Sequence, residues 1–118
     1  MTMRLKSADE EALRDLGATA VYLFGSQAEG LDHPLSDLDI GIVLAEPQKL
    51  GGDKSDLYNA FYSLFGEIFP DRSLDIVFLQ SVGLELAFDA LNHGQVLFES
   101  SLEERLRYEE SIALLYAG

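Results

Sequence analysis

The sequence predicts one α+β domain, in which short strands and longer helices alternate along the chain. Brief β-rich apolar segments, one amphipathic stripe at helical spacing, and glycine or proline between successive segments support this fold class. The 118 residues are enough for one hydrophobic core and too few for two linked domains, so a single domain over residues 1–118 is expected. A hydrophobic content of 47% with only three prolines is typical of a folded globular protein.

Four short apolar segments predict strands: TAVYLF over residues 19–24, LDIGIVL over 38–44, LDIVFL over 74–79 and QVLF over 95–98. Their β-branched and aromatic side chains and their short length favour strands that are buried. The second and third segments each carry one aspartate, Asp39 and Asp75, in otherwise apolar surroundings. A carboxylate at such a position is costly, which indicates a functional reason for it.

Four segments predict helices: residues 7–16, 57–68, 83–92 and 102–116. The first opens with Ser7 and Glu10, spaced as in a capping box, and stops at Gly17. The second is best supported, because its apolar residues fall on one helical stripe. They are Leu57, Ala60, Phe61, Leu64, Phe65 and Ile68. The third ends at His93 and Gly94, as expected for a helix stopped by glycine.

The charge balance limits the partners that the chain can bind. A formal net charge of −13 repels phosphate backbones, and no basic stripe interrupts it, so free nucleic acid is not expected as a partner. The absence of cysteine excludes disulfides, thiolate zinc sites and thiol nucleophiles. Neither a signal-like N-terminus nor a long apolar run is present, which predicts a cytoplasmic protein without membrane contact.

Asp37 and Asp39 lie two residues apart where the second predicted strand opens, so their side chains are expected to share one face of that strand. Two unit charges about 4 Å apart repel by about 1 kcal/mol in water and about 4 kcal/mol at an effective dielectric constant of about 20. With Asp75 on an adjacent strand, the cluster must spread, become protonated or bind a hard cation. Mg²⁺ with a nucleoside triphosphate is the least strained solution, because Mg²⁺ combines one or two carboxylates with substrate phosphate oxygens.

Gly25 and Ser26 follow the first predicted strand directly and suit the phosphate end of such a site. Glycine allows a ligand to approach the backbone closely, and free N–H groups at a helix start bind anions. Taken alone, a Gly-Ser pair after a strand is usually an ordinary turn, and an isolated Asp-x-Asp is usually surface. The specific signal is the combination: Gly-Ser, ten residues, Asp-x-Asp on a strand, then one aspartate on a later strand.

This combination resembles the nucleotidyltransferase superfamily related to the DNA polymerase β palm, and most closely its minimal (MNT) branch, which is often paired with HEPN-domain proteins. The resemblance covers about residues 10–99. It implies the polymerase β palm-like nucleotidyltransferase fold, a mixed twisted sheet with helices mainly on one face. It further implies that Gly25 and Ser26 contact the triphosphate, that Asp37 and Asp39 bind Mg²⁺, and that Asp75 is the third, general-base carboxylate of the metal site.

The resemblance also implies the reaction and the partner: an antitoxin that transfers AMP from ATP to a tyrosine of a HEPN toxin. Family members commonly have an arginine where this chain has Glu29, in Gly25-Ser-Gln-Ala-Glu29-Gly30. Ser26 and Glu29 have the spacing of a capping box, which would place a negative charge near the phosphates. Either Arg72 or Lys54 then compensates for that charge, or the protein acts mainly by binding.

Two alternatives therefore stay open: a catalytically impaired module that neutralises a toxin by docking, and a transferase for a small hydroxylated molecule. The short chain argues against the second, which generally needs an added helical domain. His33 is predicted to be a loop residue and His93 to be structural. The aromatic residues of 57–68 are predicted to form core and surface of a helix rather than a base-stacking platform. Homo- and hetero-oligomers are both compatible with the sequence.

Overall fold

The computed structural model describes residues 5–24 and 37–118. The helices are α1 (Ser7–Asp15), α2 (Ser55–Ile68), α3 (Leu84–His93) and α4 (Leu102–Ala117), and the strands are β1 (Ala18–Phe24), β2 (Leu38–Leu44), β3 (Leu74–Phe78) and β4 (Gln95–Glu99). Short 3-10 helices cover Pro47–Gly51 and Leu79–Ser81. All eight predicted elements are therefore present, within a few residues of their predicted bounds. None of the helices in this part of the chain has the length and apolar character needed to cross a bilayer.

The four strands form one mixed sheet in the order β3-β2-β1-β4. β1 lies between β2 and β4 and pairs antiparallel with both. β2 and β3 run parallel, so the connection between them must cross from one end of the sheet to the other. Helix α2 makes that crossing. The α+β class and the mixed sheet predicted from the sequence are confirmed.

Both faces of the sheet are covered, because the central strands are apolar on both sides. Every residue of β1 is buried. Val21 and Leu23 belong to a core that includes Leu13 of α1 and Phe61 of α2. The alternate side chains of β1 pack in a second core with Ala90 of α3, against which Tyr108 of α4 is packed. The helices thus lie two on each face, whereas the family resemblance implied helices mainly on one face.

The ends of α1 differ in part from the sequence prediction. The capping residues are Lys6 and Asp9 rather than Ser7 and Glu10, since the Lys6 backbone N–H donates to the Asp9 carboxylate at 3.4 Å. Helix α1 begins one residue earlier than the predicted cap requires, which moves Ser7 into the first turn. At its other end Gly17 has a φ of +90°, a conformation that glycine adopts without strain. The predicted stop at Gly17 is confirmed.

Candidate active site

The parallel pairing of β2 and β3 places two of the predicted carboxylates side by side. Asp39 and Asp75 are direct register partners, and the pairing continues in step up to Ile42 and Phe78. Side chains alternate across a strand, and the neighbours of Asp39 and Asp75 in β2 and β3 point into the α1–α2 core. Both aspartates therefore project from the face that α3 and α4 cover, at the end of the sheet where β2 and β3 begin.

Asp37 precedes β2 by one residue and is exposed, as is Asp75, while Asp39 is partly buried. Burial raises the pKa of the Asp39 carboxyl above its ordinary value. The negative charges of Asp75 and Asp37 raise this pKa further, and a hydrogen bond with Asp75 acts in the same direction. The three carboxylates predicted from the sequence are thus close enough for the charges of Asp37 and Asp75 to affect the ionisation of Asp39.

The donor set fits Mg²⁺ bound together with a substrate, because it offers hard carboxylate oxygens whose mutual repulsion a cation would relieve. In residues 5–24 and 37–118, however, no group of three or more histidine, cysteine, aspartate or glutamate side chains is arranged to hold a metal ion alone. The sequence predicted that three aspartates together hold the metal. Without a cation their negative charges repel one another, which keeps the three carboxylates apart. Mg²⁺ also takes several ligands from water and substrate phosphates, so a closed protein cage is not required.

Phe24 closes the β1 side of this site and was not singled out from the sequence. It is the antiparallel register partner of Asp39 and is only 7% exposed. Its position as the last residue of an apolar strand before Gly25 is the signal that could have identified it. Gly25, Ser26, Glu29 and His33 lie outside the described residues, so their predicted roles stay predictions.

Of the two basic residues that could offset Glu29, only Arg72 lies at the aspartate end of the sheet. Arg72 stands in the turn before β3, three residues from Asp75, and its backbone N–H donates to Phe69 at 3.3 Å. Lys54 precedes α2, which begins after β2 has ended. Because α2 has 14 residues and spans about 20 Å, Lys54 lies at the opposite end. Arg72 is therefore the basic residue of this pair that lies near the aspartates, and Lys54 is distant from them.

The remaining sequence interpretations concern residues away from the aspartates. Phe61 and Phe65 are fully buried, and Tyr62 is 45% exposed, so α2 has the predicted core and surface sides. Tyr58 stacks on Tyr62 along the same helix, with ring centroids 6.1 Å apart. His93 ends α3 with an exposed side chain 3.8 Å from Asp89, one turn earlier. Neither the aromatic residues nor His93 joins the acidic site.

A polymerase beta nucleotidyltransferase family model matches residues 10–103. That match covers most of the chain and includes all four strands and the three converging aspartates. The chain therefore belongs to the polymerase beta nucleotidyltransferase family. The sequence matches no functionally curated protein.

Solved structures with a similar fold come from toxin–antitoxin complexes. One is described as a toxin–antitoxin with AMP-PNP; it is 24% identical, has a TM-score of 0.69, and the match covers 96% of this chain and 88% of that chain. A second, an MntA–HepT toxin–antitoxin, is 21% identical with a TM-score of 0.61 over 95% and 87% of the two chains. A third is a tri-AMPylated Shewanella oneidensis HEPN toxin in complex with MNT antitoxin, 19% identical with a TM-score of 0.64 over 96% and 87%. At these identities the likeness establishes the fold.

Proposed function

We propose that this protein is a Mg²⁺-dependent nucleotidyltransferase that transfers AMP from ATP to a tyrosine hydroxyl of a HEPN toxin and so acts as its antitoxin. The observation that carries the proposal is the register pairing of Asp39 with Asp75, with Asp37 two residues before Asp39. Asp39 is partly buried beside two other carboxylates, and their mutual repulsion costs stability unless a cation offsets it. Such a cluster suits a reaction in which a divalent cation and a polyphosphate substrate bind together.

The residues of the chain take separate roles in this reaction. Asp37 and Asp39 would hold Mg²⁺, and Gly25 and Ser26 would bind the triphosphate through backbone N–H groups. When bound, Mg²⁺ offsets the charge of the phosphates and of the departing pyrophosphate. The tyrosine oxygen forms a bond to the α-phosphorus, the bond from that phosphorus to the bridging oxygen breaks, and pyrophosphate leaves. Asp75 accepts the proton of the hydroxyl.

Three observations support the choice of partner and nucleotide. A fold neighbour was crystallised with AMP-PNP, and another is bound to an AMPylated HEPN toxin. The net charge of −13 repels nucleic acid and favours a partner with a basic surface. Among the described residues, Asp37 and Asp75 of the acidic site are exposed.

The test mixes the protein with ATP labelled on the α-phosphate, Mg²⁺ and a candidate HEPN partner. Wild type is expected to label the partner on tyrosine, and Asp37→Asn/Asp39→Asn is expected to reduce labelling by at least about a hundredfold. A matched control, Glu11→Gln/Glu110→Gln, removes the same charge from two exposed positions of α1 and α4. The control should label the partner at the wild-type rate.

The same experiment separates the two alternatives. Suppression of toxicity by the Asp37→Asn/Asp39→Asn variant, with no labelling by either protein, would identify a module that neutralises its partner by docking; the reversed charge at Glu29 is the feature that favours this function. Labelling of a small hydroxylated molecule in place of the partner would identify the second alternative. Either result would overturn the proposed function.

A further inference from the structure

The side chain of Gln80 forms two hydrogen bonds with the backbone of a single residue, Leu44. Its Oε1 accepts from the Leu44 N–H at 2.8 Å, and its Nε2 donates to the Leu44 carbonyl oxygen at 2.9 Å. Gln80 belongs to the 3-10 helix that follows β3, and Leu44 is the last residue of β2. The pairing of β3 with β2 ends before Leu44. The Gln80 amide therefore provides the partners for the N–H and the carbonyl of Leu44.

The position of this contact continues the register of the two strands. Asp39 pairs with Asp75, and the pairs proceed in step to Ile42 with Phe78. Leu44 follows Asp39 by five residues, and Gln80 follows Asp75 by five residues. Gln80 therefore binds the residue that the same register would place opposite it. The side-chain amide replaces the backbone ladder where the main chain turns into the 3-10 helix.

A second contact between the same two segments lies between Gln80 and the aspartates. A Cβ atom on Gly41 would come within 2.9 Å of Leu79 Cδ2, and Leu79 is only 2% exposed. Gly41 is two residues from Asp39, so the two positions share a face of β2. Leu79 can occupy this place only while β3 keeps its alignment with Gly41.

We infer that Gln80 is a positioning residue for the nucleotidyltransferase site: its two hydrogen bonds to Leu44 hold β3 in the register that sets Asp75 beside Asp39. A slip of one residue would turn Asp75 to the opposite face of the sheet, and a slip of two would move it by about 7 Å along the strand. Either slip would also break both Gln80 hydrogen bonds. The inference rests on the proposed function, because it assigns Gln80 a role in that site.

The test compares Gln80→Met, which keeps the length of the side chain and removes both hydrogen bonds, with Gln48→Met at an exposed position of the first 3-10 helix. Both are assayed well below their melting temperatures, where each is folded. Gln80→Met is expected to lower kcat for AMP transfer about tenfold, with a smaller change in KM for ATP. Gln48→Met should match wild type. Cross-strand nuclear Overhauser effects between the Asp39 and Asp75 segments should weaken or double in Gln80→Met alone.

A merely structural role would lower the melting temperature of Gln80→Met and leave kcat and the cross-strand signals of the folded protein unchanged; that result overturns the inference and leaves the proposed function standing. If Gln80→Met does not fold, Gln80→Asn replaces it, because its shorter amide cannot reach both Leu44 groups. The same kcat loss is expected, and an unchanged kcat overturns the inference. Failure of wild type to transfer AMP overturns the proposed function and this inference together.

Discussion

The phenol of Tyr22, at the centre of the sheet, donates a 2.7 Å hydrogen bond to Oε2 of Glu109 on α4. The same carboxylate oxygen accepts from Arg105 Nη1 at 2.7 Å, and Arg105 Nε donates to Glu99 of β4 at 2.5 Å. Tyr22 is fully buried, and burial followed by the bond to Glu109 raises its pKa above the ordinary value. This network joins the last helix to two strands through the second core.

Replacing Tyr22 with phenylalanine is expected to lower the free energy of unfolding by about 1–2 kcal/mol at pH 7, because a hydrogen bond to a charged group is lost. Glu109 keeps Arg105 as a partner, which limits the loss. Chemical denaturation of the variant and wild type measures the difference. Tyr62→Phe, at a 45% exposed position, is the matched control and should change stability by less than about 0.5 kcal/mol.

Tyr108 of α4 presents the opposite case. In the part of the chain that the structure describes, its hydroxyl is buried without a hydrogen-bond partner. Tyr108→Phe removes a polar atom that gains nothing in the folded state, so stability at pH 7 should be unchanged or rise by up to about 1 kcal/mol. Thermal unfolding of the two proteins tests this, and a clear loss of stability would show that the hydroxyl is bonded in solution.

The same residue predicts a difference at alkaline pH. Burial, and then the charge of Glu109, raise the pKa of Tyr108 to about 12 from 10. Because folding favours the protonated phenol, its contribution to stability is complete below about pH 10 and is lost as the pH rises through about 12. As the pH rises through this range, the stability of Tyr108→Phe should therefore fall less than that of wild type. Tyr22 is present in both proteins, so its titration cancels in the comparison.

The sequence predicted the elements well because their signals are local. LDIGIVL and LDIVFL are too short for helices and too apolar for loops, and they became β2 and β3 within one residue of the predicted bounds. The pairing that sets Asp39 opposite Asp75 depends on contacts between segments 36 residues apart, which local patterns do not specify. The sequence predicted that Asp75 lies on a strand adjacent to that of Asp39, but not that the two residues are register partners.

Two features had no reliable signal in the sequence, and a third had a signal that was overlooked. Gln80 looks like an ordinary polar residue after a strand, and only the coordinates reveal its bonds to Leu44. The Ser7 cap failed because Lys6 and Asp9 provide a competing one, and cap choice between adjacent residues depends on the exact helix start. The covering of both sheet faces could have been inferred, since β1 is apolar at successive positions and a strand with one open face would alternate.

Gly94, which follows α3, lies where only glycine fits. Its N–H donates to the Ala90 carbonyl oxygen at 2.9 Å, and a Cβ atom would overlap that oxygen and lie 3.1 Å from the Leu23 carbonyl oxygen. Both are backbone atoms, so α3 or β1 would have to move. Gly94→Ala is expected to cost about 3 kcal/mol of stability, measured by denaturant unfolding.

A glycine in an open position supplies the control for Gly94. Gly66 lies inside α2, and an added Cβ would have no atom within 4 Å apart from the nearby backbone of its own helix. Gly66→Ala should raise stability by about 0.5–1 kcal/mol, because alanine is the better helix former. If Gly94→Ala and Gly66→Ala shift the unfolding midpoint alike, the close approach of α3 to β1 is wrong.

The acidic site itself predicts opposite effects with and without a divalent cation. The pKa of Asp39 is raised, so at pH 7 its ionised form opposes folding when no cation is bound. Asp39→Asn should then leave metal-free stability unchanged or raise it by up to about 1 kcal/mol, and Asp37→Asn should do the same to a smaller degree, since Asp37 is exposed. Melting temperatures in the presence of a chelator measure this.

With Mg²⁺ and a non-hydrolysable ATP analogue, the stability order of wild type and Asp39→Asn should reverse. Ligand that binds only the folded state raises stability by an amount that grows with its affinity, so the gain in melting temperature should shrink in Asp39→Asn. Glu110→Gln removes one negative charge from an exposed site on α4 and should keep the wild-type gain. A metal-free loss of stability in Asp39→Asn would mean that Asp39 is held by favourable contacts within the protein. The charge of Asp39 would then already be compensated by the protein, and the physical argument for a metal site would be lost.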